Sequence, residues 1–404
     1  MLTLKAKKTK MELLIIGTAD SIFFEHYTKN LKIQNPNINI DIFSLTAIKG
    51  NHDLSACDTI CSSKWENLIY SRIRGIRVIL YPIHTWLSLI AFLINNKKKY
   101  DIIHFKWVVP SIVIFPSLIT SYSKKSVATF WGAEFENLGL FYSKTIYRML
   151  LKHFLRKISI ITYATNEGYQ EIFKLCHNND KLKYAIYGSS VAGVQEQLVT
   201  YETKRKSKEI LLMNFRKITI SIAYSGKEVH RHIPIINMLF SDDNFTKSKD
   251  NFTFILPMTY GCELGYIKNV ENLLKSYGAD YKVFTQKMTD LEVARLRNAT
   301  DIMIQLTTSD GRSASIIESL LSGAILISGK WLPYEVFRDK SLYFYELDNI
   351  DASLPELILK LSLNIDDELK KCQENKFKLG FETWDRVINS WIDIYDKLLM
   401  MESN

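Results

Sequence analysis

Short apolar runs alternate along the chain with longer stretches of mixed character. Residues 12–17 (ELLIIG) run apolar to a stop at Gly17, followed by the polar TADS and a helix-like segment. That order of strand, loop and helix opens an α/β unit. Similar strand-like runs recur at 38–43, 102–105, 127–130 and 158–163, with helical segments between them. Such alternation implies parallel strands joined by helical crossovers.

A polar, lysine-rich interval, 201–208 (YETKRKSK), breaks the pattern and is read as a linker. Beyond it a second series of strands is expected at 210–213, 218–224, 252–256, 281–284, 302–306, 324–327 and 342–345. Helical stretches at 290–298 and 313–321 separate some of them. The last stretch, 381–401, carries Trp384, Trp391, Ile392 and Tyr395 at the spacing of an amphipathic helix. The expected organisation is an α/β domain over 1–200, a second over 209–375, and a C-terminal helix over 376–404 that packs back on the first. Ligands of open parallel sheets bind beyond the carboxyl ends of the strands, so the cleft between two such halves is the natural site.

At 404 residues the chain exceeds one ordinary core, which also points to two domains. Hydrophobic residues at 47% and charged residues at 24% exclude a disordered or fibrous protein. The excess of 52 Lys and Arg over 43 Asp and Glu favours an anionic partner: nucleic acid, acidic lipid or a nucleoside diphosphate. Five cysteines, with only Cys57 and Cys61 close together and no second ligand pair, read as reduced thiols of a cytoplasmic protein. The basic opening MLTLKAKKTK is not followed by a signal-type apolar core, so secretion is not expected.

Residues 78–94 (VILYPIHTWLSLIAFLI) form an apolar run at the lower limit for spanning a bilayer. Arg72, Arg74 and Arg77 precede it, Lys97, Lys98 and Lys99 follow it, and Pro82 and His84 lie inside. A helix buried on a sheet, a helix lying in a membrane interface and a true span are the three readings.

The segment 301–328 (DIMIQLTTSDGRSASIIESLLSGAILIS) carries the clearest candidate chemistry. It reads as a strand, a polar loop, a helix, a glycine stop and a further strand. Backbone N–H groups of Ser313, Ala314 and Ser315 at the helix start offer donors and a positive dipole end to a phosphate, with Arg312 as a cation beside them. Asp310 and Glu318, with seven residues between them, place one carboxylate in the loop and one on the helix. Carboxylates accept hydrogen bonds from vicinal sugar hydroxyls. The plainer alternative is a helix cap at Asp310 and a salt bridge at Glu318.

An acidic residue, seven positions and a Glu, followed by a leucine-rich turn and Ser-Gly, resembles the donor-site motif of family 4 and related GT-B glycosyltransferases. Asp310 stands where those families have their first Glu; Glu318 keeps the second. YDIIHF (100–105) resembles a strand of their acceptor domains. FWGAEF (130–135), ITISIAYSGKEVHRHIPIINML (218–239) and FTFILPMTYG (252–261) resemble segments of the lipid-linked aminofucose (4-acetamido-4,6-dideoxygalactose) transferases.

The resemblance implies a GT-B fold: α/β, two Rossmann-like domains facing across a cleft, with a C-terminal helix crossing back. It implies a metal-independent hexosyl- or acetamidodeoxyhexosyl-transferase of surface polysaccharide synthesis. A nucleoside-diphosphate sugar would be donor substrate, with no cofactor, and a glycan or polyprenyl-linked molecule the acceptor. Gly226, Lys227 and Arg231 are then placed at the diphosphate, whose leaving charge needs cations or a helix N-terminus. Tyr260 and Gly261 are placed at the base, where the ring lies against it or else packs in the core. Arg312, Ser313 and Glu318 complete the donor set, and Asp310 faces the transferred sugar. An inverting reaction needs a base, for which Glu134 is the first candidate before Asp20, His26 and His104; a retaining one needs none.

The basic, aromatic segments 69–81 and 142–156 suit a peripheral position on the inner face of the plasma membrane, or else ordinary amphipathic helices. A nucleic-acid partner is not expected, since no recognition-helix or RNP-type motif occurs. A non-catalytic nucleotide-sugar or glycan binder of the same fold is the main alternative.

Overall fold

The computed structural model describes residues 10–50, 52–63, 74–113, 116–131, 144–261, 264–311, 313–380 and 382–401. The chain forms two compact units: Met1–Gly188 with Trp384–Asn404, and Ser189–Thr383. Each is built on a wholly parallel sheet of Rossmann-like type.

The first unit holds β1 (Met11–Gly17), β2 (Ile38–Ser44), β3 (Thr59–Ser62), β4 (Tyr100–Phe105), β5 (Ser123–Phe130), β6 (Ile160–Tyr163) and β7 (Leu182–Tyr184). Their order is β3-β2-β1-β4-β5-β6-β7. The run at β1 is continuously apolar because both sheet faces are covered. Leu14 and Ile16 join one core with α2 (Arg74–Asn96), α3 (Pro110–Val113), α4 (Pro116–Thr120), α5 (Lys144–Lys157) and α6 (Asn166–Cys176). Leu13 and Ile15 point the other way, into a core with α1 (Ile22–Gln34) and the C-terminal helix Trp384–Met400. That helix belongs to this unit, with Trp391 and Tyr395 fully buried.

The second unit holds β8 (Ile218–Ile222), β9 (Phe252–Pro257), β10 (Tyr281–Phe284), β11 (Ile302–Gln305), β12 (Ile325–Gly329) and β13 (Tyr345–Leu347), ordered β10-β9-β8-β11-β12-β13. Its helices include α7 (Ser190–Tyr201), α8 (Lys204–Ile210), α9 (His232–Phe240), α10 (Asp290–Ala299) and α11 (Ala314–Leu321).

Two expectations are corrected, and the readings of 78–94 are narrowed. The interval 201–208 is not a linker: it lies inside the second unit as the end of α7 and most of α8. Three of its charges meet partners remote in sequence, while Arg205 and Lys206 stay exposed beside Glu209. The Lys208 amine is paired with Asp301, Glu202 with Arg295 at 3.1 Å, and Lys204 donates to the Thr300 carbonyl at 2.6 Å. Residues 210–213 form no strand but the end of α8 and a turn, with Leu212 at φ 54°. The run 78–94 is part of α2, with Leu89, Phe92 and Leu93 buried against the sheet. Among the described residues no helix is long and apolar enough to cross a membrane.

Candidate functional site

In the second unit the strand order reverses between β8 and β11, since the chain runs from β8 out to β9 and β10 and then returns to the other side of β8 at β11. Open parallel sheets bind ligands in the crevice at such a reversal, beyond the carboxyl ends of the strands. The loops after β8, β9 and β11 converge there and carry most of the expected donor residues.

The loop after β8 opens on Ala223 at φ 57°, a left-handed conformation that costs a non-glycine residue about 1–2 kcal/mol. The Ala223 N–H donates to the Ile304 carbonyl at 3.0 Å, which fixes the turn against β11. Gly226 N–H donates to the Tyr260 carbonyl at 3.0 Å and so joins the loop to the one after β9. Gly261, at φ +77°, has no Cβ, and a Cβ there would meet Lys227 Cγ at 2.7 Å. The Lys227 stem thus runs across the bare Cα of Gly261. Arg231, at φ 58°, lies with its guanidinium 5.7 Å from the Trp331 ring centre.

His230 meets Ser225 Oγ at 2.8 Å and stands edge-on to the Tyr224 ring, while His232 begins α9. Burial pushes both imidazoles down, His230 to about 4 and His232 to about 3, so both are neutral at pH 7. Tyr260 is 53% exposed, with its hydroxyl end more enclosed than the rest of the ring. Burial of that end raises its pKa.

Glu318 is buried on α11. Its Oε1 accepts from Ser189 Oγ at 2.8 Å, its Oε2 faces Arg297 Nε at 3.4 Å, and its backbone carbonyl accepts from Gln195 at 2.7 Å. Among the described residues each carboxylate oxygen therefore has one donor and retains one lone pair. Arg297, on α10, has its Nη1 buried with no partner among the described residues.

Asp310 is enclosed: Oδ1 accepts from Tyr224 OH at 3.0 Å, and Oδ2 from Tyr334 OH at 2.5 Å and Ser313 N–H at 3.3 Å. Burial raises its pKa, and those three donors oppose the rise. Ser313 caps α11, its Oγ accepting from Ser315 N–H at 3.2 Å. Of the three N–H groups expected for a phosphate, those of Ser313 and Ser315 are thus occupied, which leaves Ala314. Arg312 lies outside the described residues.

Sequence reasoning missed Ser189, Arg297, Tyr224, Tyr334 and the two histidines. Arg297 reads as an ordinary solvated helix cation in LEVARLRNAT, and nothing local marks it. The histidine pair flanking Arg231 was the only visible signal.

In the first unit, Glu134 and most of 130–135 lie outside the described residues. Ser21 caps α1, and Asp20 accepts from the Lys49 N–H at 3.4 Å. His26 lies parallel to the Trp384 ring at 6.4 Å. His104 is no surface base: it is fully buried between Tyr395 OH at 2.5 Å and Thr129 Oγ1 at 2.7 Å, and burial holds it well below its usual pKa. Lys106, just past β4, is buried with its amine 3.1 Å from the Tyr27 ring centre and 4.3 Å from that of Trp391. Among the described residues no three His, Cys, Asp or Glu side chains gather where they could hold a metal ion.

No family model and no curated protein matches the sequence. Solved structures do match over nearly the whole chain. A glycosyltransferase from Rickettsia africae is 15% identical with a TM-score of 0.70, covering 97% of this chain and 100% of its own. HepE from Anabaena, solved with UDP and glucose, is 12% identical with a TM-score of 0.67 over 97% of this chain and 100% of its own. Sucrose-phosphate synthase from Thermosynechococcus elongatus is 11% identical with a TM-score of 0.69 over 96% and 99%. At such identities the likeness establishes the fold: the chain has the GT-B architecture.

Proposed function

We propose that the protein is a glycosyltransferase that moves a sugar from a nucleoside-diphosphate sugar to a glycan or polyprenyl-linked acceptor in surface-polysaccharide synthesis, working at the inner face of the plasma membrane. The observation that carries this reading is the joining of the loops that hold Lys227, Tyr260 and Gly261 at the β8/β11 reversal, with Glu318 on the helix that follows β11. The solved complexes of HepE with UDP and with UDP-glucose support a nucleotide-sugar donor. In this reading Glu318 uses the free lone pair on each oxygen to accept from the vicinal hydroxyls of a ribose, while Ser189 and Arg297 hold the carboxylate still. Gly226 and Gly261 keep the backbone low beside the diphosphate, and Lys227, Arg231 and Arg312 neutralise the charge that develops on it, with the helix start at Ser313 adding its dipole. These cations take the part a metal plays elsewhere. The Tyr260 ring covers the base.

Asp310 shapes the loop into α11 and keeps room on Oδ1 for a hydroxyl of the transferred hexose or acetamidodeoxyhexose. Glu134 acts as base if the reaction inverts. The closed ring of donors around Asp310 favours one second reading, a non-catalytic binder of nucleotide-sugars. A screen of UDP, GDP, TDP and CMP by thermal shift, paired with assays for hydrolysis or transfer of the matching sugar nucleotide, separates the two. One stabilising nucleotide with turnover is expected. Stabilisation without turnover over many acceptors favours the binder, and no stabilisation refutes the donor site.

A further inference from the structure

The first unit carries a surface that the donor chemistry does not use. Among the described side chains of α2, the exposed positions before the terminal Asn95 are Leu80, Ile83, Leu87, Ala91 and Ile94, spaced three and four apart, with the four large side chains 37–55% exposed. At about 1.5 Å per residue they make an apolar stripe about 21 Å long. Small α3 lies against both α2 and α5, so the two helices share one layer, on the side of the sheet opposite α1. On α5, Ile146 and Met149 are exposed, and on α4 Leu118.

The charge around this layer is one-sided. Neither α2 nor α5 contains an acidic residue. Residues 67–166 hold fourteen Lys or Arg against three acidic residues, a net +11, where the whole chain carries +9. Not all of these cations belong to the layer: Lys106 is buried beside Tyr27 and Trp391 on the other side of the sheet, and Lys98, Lys124 and Arg148 pair with Asp41, Asp101 and Glu171. Among the described residues, Lys97, Lys99, Lys152, Arg156 and Lys157 have no carboxylate partner.

We infer that α2 and α5 form the face by which this protein lies on an anionic lipid bilayer, the α2 stripe entering the headgroup boundary and the lysines and arginines meeting lipid phosphates. An in-plane amphipathic helix with basic flanks binds in this way. Two other occupants fit less well. A second copy of the chain would bring one acid-free basic helix pair against another, and a nucleic-acid backbone offers nothing apolar to cover the stripe. The inference sharpens the membrane part of the proposed function and rests on that part alone, not on the donor site.

Vesicle flotation of the full chain tests it, with phosphatidylcholine alone and with phosphatidylglycerol added. Binding is expected with phosphatidylglycerol only, and should weaken as salt rises. Lys152→Gln with Arg156→Gln should reduce it about 30-fold, at about 1 kcal/mol for each cation near the surface. Leu87→Asp should abolish it. UDP-type thermal shifts are read on the same samples, so a failed donor site and a failed membrane face give different results, and melting temperature confirms that each variant is folded. Equal binding to both vesicle types, binding to neither, or wild-type binding by folded Leu87→Asp overturns the inference, as does RNA binding or dimerisation lost in these variants without vesicle binding.

Discussion

Glu318→Gln separates the structural from the functional work of this carboxylate. The Glu318 and Arg297 side chains are only 6% and 4% exposed, so the substitution leaves a guanidinium buried without its counter-charge. Breaking a buried pair from one side costs about 3–5 kcal/mol, whereas replacing both partners by neutral groups of similar volume is near neutral. For a unit of this size about 2–4 °C is lost per kcal/mol, so Glu318→Gln should lower the melting transition by about 6–20 °C. Adding Arg297→Met should restore most of it. Scanning calorimetry of the full chain reads both. A loss under about 1 kcal/mol in the single variant, or a double variant no more stable than the single, would refute the argument. The restored double variant then reports on function. A saturating nucleotide, at about 100 times its Kd, adds about 2.7 kcal/mol to a protein that binds it. That gain should vanish if Glu318 grips the ribose, and its persistence in the double variant would show that Glu318 serves the fold alone.

Lys227→Ala should weaken nucleoside-diphosphate binding about 10-fold to 100-fold by isothermal calorimetry with little change in melting temperature, since charged hydrogen bonds contribute about 1.5–3 kcal/mol. Gly261→Ala should weaken the same binding by displacing the Lys227 stem, and should also destabilise the fold by about 1 kcal/mol or more through its positive φ. His230 and His232 have pKa values held below that of the unfolded chain, so their neutral forms support the fold above about pH 6.5 and that support is lost as pH falls toward 4 and 3. A His232→Gln variant should therefore lose less stability between pH 7 and 4 in urea titrations. Lys106 is held well below its usual pKa by burial, so the unfolded chain binds more protons and stability should rise with pH towards 10. Lys106→Met should flatten that slope and add about 1–3 kcal/mol at pH 7, the desolvation cost of an unpartnered donor. A destabilised Lys106→Met would show that the surrounding rings hold a charged amine.

Much of the secondary structure follows from local pattern. The run 12–17 is a strand buried on both faces, and such a run reads the same in the sequence as in the fold. The helices at 290–298 and 313–321 were visible from their spacing, and the structure adds Thr289 and Ser313 as their caps, where the sequence had offered Asp310 for the second. By contrast β3 and β7 were not seen. Both are short edge strands, half exposed and without an apolar run, and only the neighbouring strand makes them strands.

By itself the sequence determined two α/β series, the strand–loop–helix order at 301–328, and the seven-residue interval that puts Asp310 in the loop and Glu318 on the helix. Those are matters of periodicity and capping, which act over a few residues. Tertiary structure alone decided what these carboxylates touch. Glu318 is held by Arg297 and by Ser189, 129 positions away, and Asp310 by Tyr224 and Tyr334. The same holds for the lysine-rich interval, which reads as a solvated linker until Asp301, 93 positions from Lys208, supplies its counter-charge. Burial in a low-dielectric interior requires every charge to find a partner, and which partner is near depends on how helices pack across a sheet, for which local sequence carries no signal.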